Sequence, residues 1–192
     1  MSARQDIIIA GVGGQGILTV AGVIGAAAVH RGLYVKQSEV HGMAQRGGAV
    51  VSHLRLSERP IASDLIPRGT GHLILSMEPM EALRYLPFVH REAALVTNQN
   101  PVRNVPAYPD LGKILARVRQ WPRHVIVDAE KLARQAGNVR AVNSVMLGAA
   151  APFLMVPAEA LVEQIAEFFT AKGEEVVAMN IKAFELGRAA AG

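Results

Sequence analysis

The sequence predicts a three-layer α/β domain built on a mixed, mostly parallel sheet. Six short hydrophobic runs, rich in β-branched residues, are separated mostly by helical segments, which is the pattern of an α/β protein. Only about nine residues separate the second and third runs. That distance leaves no room for a crossover helix and predicts an antiparallel pair. At 192 residues, the chain is long enough for one well-packed domain, expected to span 1–192.

The predicted elements follow one another with short connections, apart from a long one at 57–71. The strands are expected at 6–10, 34–39, 49–56, 73–76, 94–97 and 125–127, and the helices at 15–30, 79–86, 111–121, 128–135 and 139–151. Two amphipathic helices end the chain, with apolar stripes at Leu161, Ile165, Phe168 and Phe169, and at Val177, Ile181 and Phe184. Polar and apolar residues alternate along 49–56, so we predict that His53 lies at the surface or at an edge. Asn143 is expected to be a capping or buried, hydrogen-bonded amide.

The composition restricts both the partners and the chemistry. Lys and Arg number 20 against 16 Asp and Glu, without basic runs or interleaved aromatic residues, so nucleic acid is not an expected partner. The absence of cysteine excludes disulfides, a cysteine nucleophile and a cysteine-ligated iron–sulfur cluster in this chain. A reducing compartment, the cytoplasm, is therefore expected.

An uncharged stretch at 7–29 raises the question of a membrane segment. It is 23 residues long but contains six glycines, and those at 11–16 would break a spanning helix near its middle. Asp6 also stands where a signal peptide carries positive charge. We interpret the stretch as a buried strand, a turn and a buried helix, and we expect no membrane association.

The turn at 11–16 has the Gly-x-Gly-x-x-Gly spacing of a phosphate-binding turn between a strand and a helix. Glu39 follows the last of these glycines by 23 residues, near the place where a dinucleotide fold puts its ribose-binding acid. The alternatives left open are another anion and glycines that serve only close packing. The candidate cofactor-binding residues here are Gly11, Gly13, Gly14, Gln15, Gly16 and Glu39.

A second glycine-rich segment, 38–48, brings a carboxylate, an imidazole, an amide and a guanidinium together within eight residues. This composition is typical of a loop that meets a ligand or a partner, although a solvated connection is the alternative. His41 and Arg46 are the candidate catalytic residues, and Gly47 and Gly48 are added to the cofactor-binding candidates. Arg46 carries a permanent charge and a bidentate fork that suit a carboxylate or a phosphate.

These two segments together carry a resemblance to a known family. Gly11-Val-Gly-Gly-Gln-Gly16 followed by Ser38-Glu-Val-His-Gly-Met-Ala-Gln-Arg-Gly-Gly48 resembles the gamma-type domain of 2-oxoacid:ferredoxin oxidoreductases. Segments 75–85 and 137–148 are similar to the same family. Pyruvate- and 2-oxoglutarate-specific members usually carry Gly-Pro-Glu before the corresponding Arg-Gly; here Met43-Ala44-Gln45 stands in that place, which is similar to the indolepyruvate branch.

The resemblance implies a Rossmann-like fold and a small subunit that is inactive alone. A large partner subunit would carry thiamine diphosphate, magnesium and 4Fe-4S clusters, and the complex would convert an arylpyruvate and coenzyme A to acyl-CoA with electrons passed to ferredoxin. No metal site is expected in this chain. The helices at 15–30 and 139–151 are nearly uncharged all round, so we expect them to meet a partner and the isolated chain to self-associate. The alternatives are a subunit acting on another 2-oxo acid, a nucleotide-binding oxidoreductase and a purely structural interaction module.

Overall fold

The computed structural model describes residues 3–41, 47–103 and 107–192, with His41 described by its backbone alone. One six-stranded sheet runs through it in the order β2-β3-β1-β4-β5-β6. Its strands are β1 (Arg4–Val12), β2 (Tyr34–His41), β3 (Ala49–Ser57), β4 (Gly71–Ser76), β5 (Val89–Asn98) and β6 (His124–Val127). The helices are α1 (Ile17–His30), α2 (Pro79–Arg84), α3 (Leu111–Arg119), α4 (Ala129–Ala136), α5 (Val142–Ala150), α6 (Ala158–Phe169) and α7 (Glu174–Ala190).

The predicted mixed sheet is confirmed. β1, β4, β5 and β6 pair in parallel, and β3 is antiparallel to both of its neighbours, β2 and β1. Each of the two sheet faces is covered, which gives the three layers. The larger hydrophobic core lies under α1, α4, α5, α6 and α7, and the smaller one lies under α2, α3 and the connection 58–70.

The interior position of β3 makes one prediction wrong. His53 is 5% exposed, because β3 lies between two strands and the 58–70 connection covers its second face. The Nδ1 atom of His53 accepts a hydrogen bond from the Ile66 N–H at 3.0 Å. The polar residues that alternate with apolar ones along β3 therefore face a second, partly polar core and not solvent.

Arg55, next along β3 on the same face, is held by a buried ion pair. Its Nε donates to Asp6 Oδ1 at 2.8 Å, and its Nη1 donates to the carbonyl oxygens of Ser63 and Leu65, each at 2.8 Å. Asp6 has no exposed surface and also receives hydrogen bonds from Arg4. This network joins the 58–70 connection to β1 and β3.

The chain itself covers the apolar surface of α5, so the expectation that α5 meets a partner is wrong. α7 crosses α5 so closely that a Cβ atom at Gly148 would lie 1.9 Å from the Phe184 carbonyl oxygen, and one at Gly187 would lie 1.9 Å from the Val145 carbonyl oxygen. The two glycines thus form a reciprocal contact. Backbone against backbone leaves no space for a second subunit along this side of α5.

Smaller differences concern the ends of helices. Gln15 belongs to the turn and not to α1, α2 ends at Arg84 before a 3₁₀ turn, and 139–141 forms a 3₁₀ turn ahead of α5. Phe168, predicted in the inner stripe of α6, is 51% exposed. The buried residues of α6 and α7 include small and polar ones that a search for apolar stripes passes over: Ala160 and Gln164 in α6, and Asn180, Ala183 and Gly187 in α7.

Replacement of Gly187 by Ala is expected to destabilise the isolated chain by about 1–3 kcal/mol or more, because the new methyl group must push α5 and α7 apart. Gly22→Ala in α1 is the matched control. Its Cβ would find nothing closer than 3.9 Å, so the gain in helix propensity should stabilise the chain by about 0.5–1 kcal/mol. Urea unfolding of both variants measures the two values. Equal stability of Gly187→Ala and Gly22→Ala would contradict the packing described.

Acid should weaken the fold through Asp6. Burial raises the pKa of Asp6, but the hydrogen bonds and charges of Arg4 and Arg55 outweigh it, so this pKa lies below its ordinary value. A carboxyl with a depressed native pKa contributes stability that is fully present above its unfolded pKa, about 3.9, and is lost as the pH falls through the native value. Asp6→Asn should therefore lower the free energy of unfolding near neutral pH by about 3–5 kcal/mol, because Arg55 loses its partner.

The same variant should also lose the Asp6 contribution to acid sensitivity below about pH 4. Glu92→Gln, at an exposed position on β5, serves as the control and should keep it. The measurement is urea unfolding across the pH range. Parallel stability profiles for Asp6→Asn and Glu92→Gln would disprove the role given to the ion pair.

Candidate functional site

The candidate site lies at the carboxyl ends of the parallel strands. α1 follows β1 onto one face of the sheet and α2 follows β4 onto the other, since α1 belongs to the larger core and α2 to the smaller. Such a reversal between neighbouring parallel strands opens a crevice outside their carboxyl ends, where ligands bind in open α/β sheets. The segments that meet there are the turn after β1, Met77 after β4 and Asn98 at the end of β5.

The glycine turn is closed by Gln15. The Val12 N–H donates to Gln15 Oε1 at 2.8 Å, and Gln15 Nε2 donates to the Met77 carbonyl oxygen at 3.1 Å. A Cβ atom at Gly11 would lie 2.7 Å from the same Gln15 oxygen. The Gln15 side chain thus links the ends of β1 and β4, and Gly11 is required for that close approach.

Gly14 and Gly16 have the positive φ angles of 100° and 72° that glycine adopts readily. A Cβ atom at Gly16 would lie 2.2 Å from Asn143 Nδ2. Asn143 is half-buried, and its amide approaches the Gly16 carbonyl oxygen at 3.5 Å. Gly16 precedes α1 without a side-chain cap. The first N–H groups of α1, which no helix satisfies internally, are therefore directed at the crevice and suit an anion.

The two glycine-rich segments are joined directly. The Gly13 N–H donates to the Gly48 carbonyl oxygen at 2.8 Å, and the Gly47 N–H donates to the Gly13 carbonyl oxygen at 3.4 Å. These bonds extend the β1–β3 ladder beyond its last pair, Val12 and Ala49. The backbone at Gly47 and Gly48 therefore lies directly beside the glycine turn. Arg46 and the His41 side chain lie outside the described residues.

A cavity of about 540 Å³, which we call the turn cavity, lies between the glycine turn, the start of α1 and β2. Its size is that of a typical small-molecule site. It is lined by Val12, Gly13, Gly14, Gly16, Ile17, Leu18, Thr19, Glu39 and Val50. Glu39 of β2 thus lines the same cavity as the glycine turn, although β3 lies between β2 and β1. Its Oε2 atom is shielded from solvent and has no hydrogen-bond partner among the described residues.

A second cavity of about 320 Å³, the amide cavity, lies on the other side of the turn and shares Gly14 and Gly16 with the first. Asn98, Asn100, Arg140 and Asn143 contribute its polar groups, and Glu130 also lines it. Sequence reasoning did not select Asn98 and Asn100. Their position directly at the end of a parallel strand was the available signal, since it is the rule that selected the glycine turn.

Asn98 organises this edge through three hydrogen bonds. Its Oδ1 accepts from the N–H groups of Asn100 and Ala129 at 3.3 and 3.2 Å, and its Nδ2 donates to the Met77 carbonyl oxygen at 3.4 Å. The amide side chain thus connects the ends of β4 and β5 to the start of α4. It holds the floor of the amide cavity in place.

Glu78, which caps the N-terminus of α2, also binds Tyr108, which precedes α3. It is 1% exposed, its Oε2 accepts from the Glu81 N–H at 2.9 Å and its Oε1 accepts from the Tyr108 hydroxyl. Burial, together with this bond to a carboxylate, raises the pKa of Tyr108. The phenol therefore stays neutral and remains the donor at ordinary pH.

Two features are absent from the described ranges 3–41, 47–103 and 107–192. No group of three or more His, Cys, Asp or Glu side chains there is placed to hold a metal ion. None of the helices in these ranges is long and apolar enough to cross a membrane.

Comparison with known proteins places this geometry in a family. The family profile described as "Pyruvate ferredoxin/flavodoxin oxidoreductase" matches residues 6–190. The indolepyruvate oxidoreductase subunit IorB of Archaeoglobus fulgidus is 36% identical over 96% of this chain and 94% of its own length. IorB of Pyrococcus horikoshii is 39% identical over 98% of this chain and 96% of its own length.

Two solved structures share the fold. Pyruvate oxidoreductase subunit PORC from Thermotoga maritima matches 97% of this chain and 96% of its own, with a TM-score of 0.76 at 20% identity. A 2-oxoglutarate:ferredoxin oxidoreductase from Magnetococcus marinus, solved with 2-oxoglutarate, coenzyme A and succinyl-CoA bound, matches 98% of this chain, with a TM-score of 0.78 at 24% identity. The match covers 31% of that longer chain. The present chain belongs to the pyruvate ferredoxin/flavodoxin oxidoreductase family.

Proposed function

We propose that this chain is the small, gamma-type subunit of an indolepyruvate or arylpyruvate ferredoxin oxidoreductase. The proposed substrate class rests on a difference in sequence identity between two groups of relatives. Four relatives named indolepyruvate oxidoreductase subunit IorB are 35–39% identical. Relatives named for 2-oxoglutarate or for pyruvate and ketoisovalerate, aligned over nine-tenths or more of the chain, are 25–26% identical.

The reaction sets requirements that this chain does not meet alone. The bond between the 2-oxo carbon and the carboxylate breaks, carbon dioxide leaves, the acyl group forms a thioester with coenzyme A, and two electrons pass to ferredoxin. Bound cofactors supply such chemistry. The sequence has no cysteine to hold a cluster. We therefore propose that residues 1–192 act as one unit and that a large subunit carries thiamine diphosphate, magnesium and the 4Fe-4S clusters, in the cytoplasm.

The turn cavity itself does not fit thiamine diphosphate with its magnesium. The Glu39 oxygen in its wall has no hydrogen-bond partner among the described residues, so the carboxylate would repel a diphosphate. No metal-binding cluster lies in the described residues near it. This disagreement supports a place for the cofactor on the partner subunit.

An anionic part of the substrate or of coenzyme A fits better on the other side of the glycine turn. The amide cavity shares Gly14 and Gly16 and adds the Arg140 guanidinium, while Glu130 in its wall already accepts a hydrogen bond from Arg134 at 3.0 Å. Anions bind readily at helix N-termini with a nearby cation. We also propose Arg46 as an anion contact, and His41 as a neutral hydrogen-bond donor or proton-transfer group near the 2-oxo acid.

The expected outcome of a direct assay is that the purified chain alone shows no arylpyruvate-dependent reduction of a viologen dye. Addition of the large subunit, with coenzyme A, thiamine diphosphate and magnesium under anaerobic conditions, should give activity. Indolepyruvate should be preferred to pyruvate and 2-oxoglutarate in kcat/KM. Dye reduction by this chain alone, or full activity of the large subunit without it, would contradict the division of roles.

The same assay addresses Arg46. Arg46→Lys keeps the charge but loses the bidentate fork, so kcat/KM should fall by about tenfold or more. Arg31→Lys, at an exposed position after α1, is the matched control and should be unaffected. Equal kinetics of the two variants would remove Arg46 from the proposed site.

A further inference from the structure

Glu39, in the wall of the turn cavity, has a carboxylate oxygen that the described chain does not satisfy, and the fully buried Ser52 lies beside it. Glu39 on β2 and Ser52 on β3 are cross-strand partners, so their side chains project from the same face of the sheet. Glu39 Oε2 and Ser52 Oγ are both buried and have no hydrogen-bond partner among the described residues. A buried carboxylate oxygen without a partner is unfavourable, because it has lost water and gained nothing in return.

The nearest lysine in the sequence of β2 does not serve this carboxylate. Lys36 stands three residues before Glu39 and therefore projects from the opposite face of the strand. Its Nζ donates to the Ala62 carbonyl oxygen in the long connection at 3.3 Å. The Glu39 carboxylate is thus available to a cation from outside the described residues.

The surface beside Glu39 is largely apolar and exposed. Leu18, in the wall of the turn cavity, and Val29, at the other end of α1, are each 56% exposed. Between them lies no charged residue, and Thr19 is the one polar residue. Phe168 of α6, 51% exposed, stands beside Gly22 in the middle of α1. We call the surface formed by Leu18, Gly22, Val29 and Phe168 the α1 strip.

Exposed large apolar side chains occur along this side of the helical layer. The described residues include seven of them, and three, Leu18, Val29 and Phe168, belong to α1 and α6; Tyr34 and Val40 of the edge strand β2 project from the face opposite to that of Glu39. The other side of the helical layer is closed, because α7 covers α5. Exposed apolar residues grouped around a buried charge are typical of a protein interface, in which a desolvated ionic contact sits inside an apolar surround.

We propose that the turn cavity and the α1 strip are the docking surface for the large subunit. The occupant of the cavity is an arginine of that subunit, flanked in its own sequence by apolar residues. The planar guanidinium can donate two parallel hydrogen bonds to the Glu39 carboxylate, which the compact lysine ammonium does less well. This inference rests on the proposed function, since it requires the large subunit.

The test measures the dissociation constant of the small chain for the purified large subunit, by anaerobic calorimetry. Glu39→Gln and Leu18→Ser should each weaken binding by about tenfold or more, because one removes a buried charge contact and the other an apolar one. Their matched controls are Glu92→Gln and Leu65→Ser, at exposed positions elsewhere, which should stay within about twofold of the wild type. Unchanged binding of both Glu39→Gln and Leu18→Ser would overturn the proposal.

A second measurement, the melting temperature of the isolated chain, should not show the loss that binding shows. In the isolated chain, Glu39→Gln should leave the melting temperature unchanged or raise it, because the variant removes a buried charge that has no partner. Glu39→Gln should therefore weaken binding to the large subunit without lowering the stability of the isolated chain. A fall in melting temperature of more than about 3 °C would show that Glu39 is paired within its own chain and would overturn the proposal.

Two other occupants are distinguishable in the same set of experiments. A second copy of this chain as occupant predicts that Glu39→Gln abolishes self-association in sedimentation and leaves large-subunit binding intact. A nucleotide as occupant predicts calorimetric binding of ADP-ribose to the wild-type chain that Glu39→Gln abolishes. Either result overturns the docking proposal.

The failure of the docking proposal differs from a failure of the proposed function. If the wild-type chain neither binds the large subunit nor restores activity, the proposed function falls and the docking proposal falls with it. If the wild-type chain binds and restores activity, and Glu39→Gln and Leu18→Ser do so equally, only the docking surface is wrong.

Discussion

The contact of Gly13 with Gly47 and Gly48 holds the candidate site together. β3 runs antiparallel between β2 and β1, so the segment that enters it must pass directly beside the turn that leaves β1. The two backbone hydrogen bonds at that point fix the spacing. As a result Glu39, two strands away from β1, still lines the same cavity as the glycine turn, with Val50 of β3 between them. A parallel sheet with β2 next to β1 would give a different arrangement.

Buried polar groups in this protein divide into two sets. On the sheet face under α2, α3 and the 58–70 connection they are paired: Asp6 with Arg55, and His53 with the Ile66 N–H. Burial lowers the pKa of His53, so it remains a neutral acceptor. On the opposite face, under α1, Glu39 and Ser52 lack partners in the described chain. Buried polar groups are normally satisfied within the fold or by water, so an unsatisfied one requires an explanation, and for Glu39 we propose a group supplied by the large subunit.

The sequence predicted most of the architecture because local signals were strong. Glycine turns, short β-branched runs and the nine-residue gap after β2 determined the strands, the first helix and the antiparallel pair. Burial was harder to predict, because it depends on what the rest of the chain covers. His53 was assigned to the surface because alternation does not reveal a long connection lying over the second face. The uncharged surface of α5 predicts contact with a partner subunit, but α7 of the same chain covers it. Sequence patterns do not reveal this packing, because Gly148 and Gly187 lie 39 positions apart.

The central claim is that the chain presents its glycine turn and the α1–β2 side to the large subunit. Hydrogen–deuterium exchange of the free chain and of the assembled complex tests it most directly. We expect slower exchange on assembly at the amides of Ile17, Leu18 and Thr19 and along β2, with no change in the 58–70 connection. Protection confined to that connection or to the outer face of α7, with the start of α1 and β2 exchanging as in the free chain, would contradict the account.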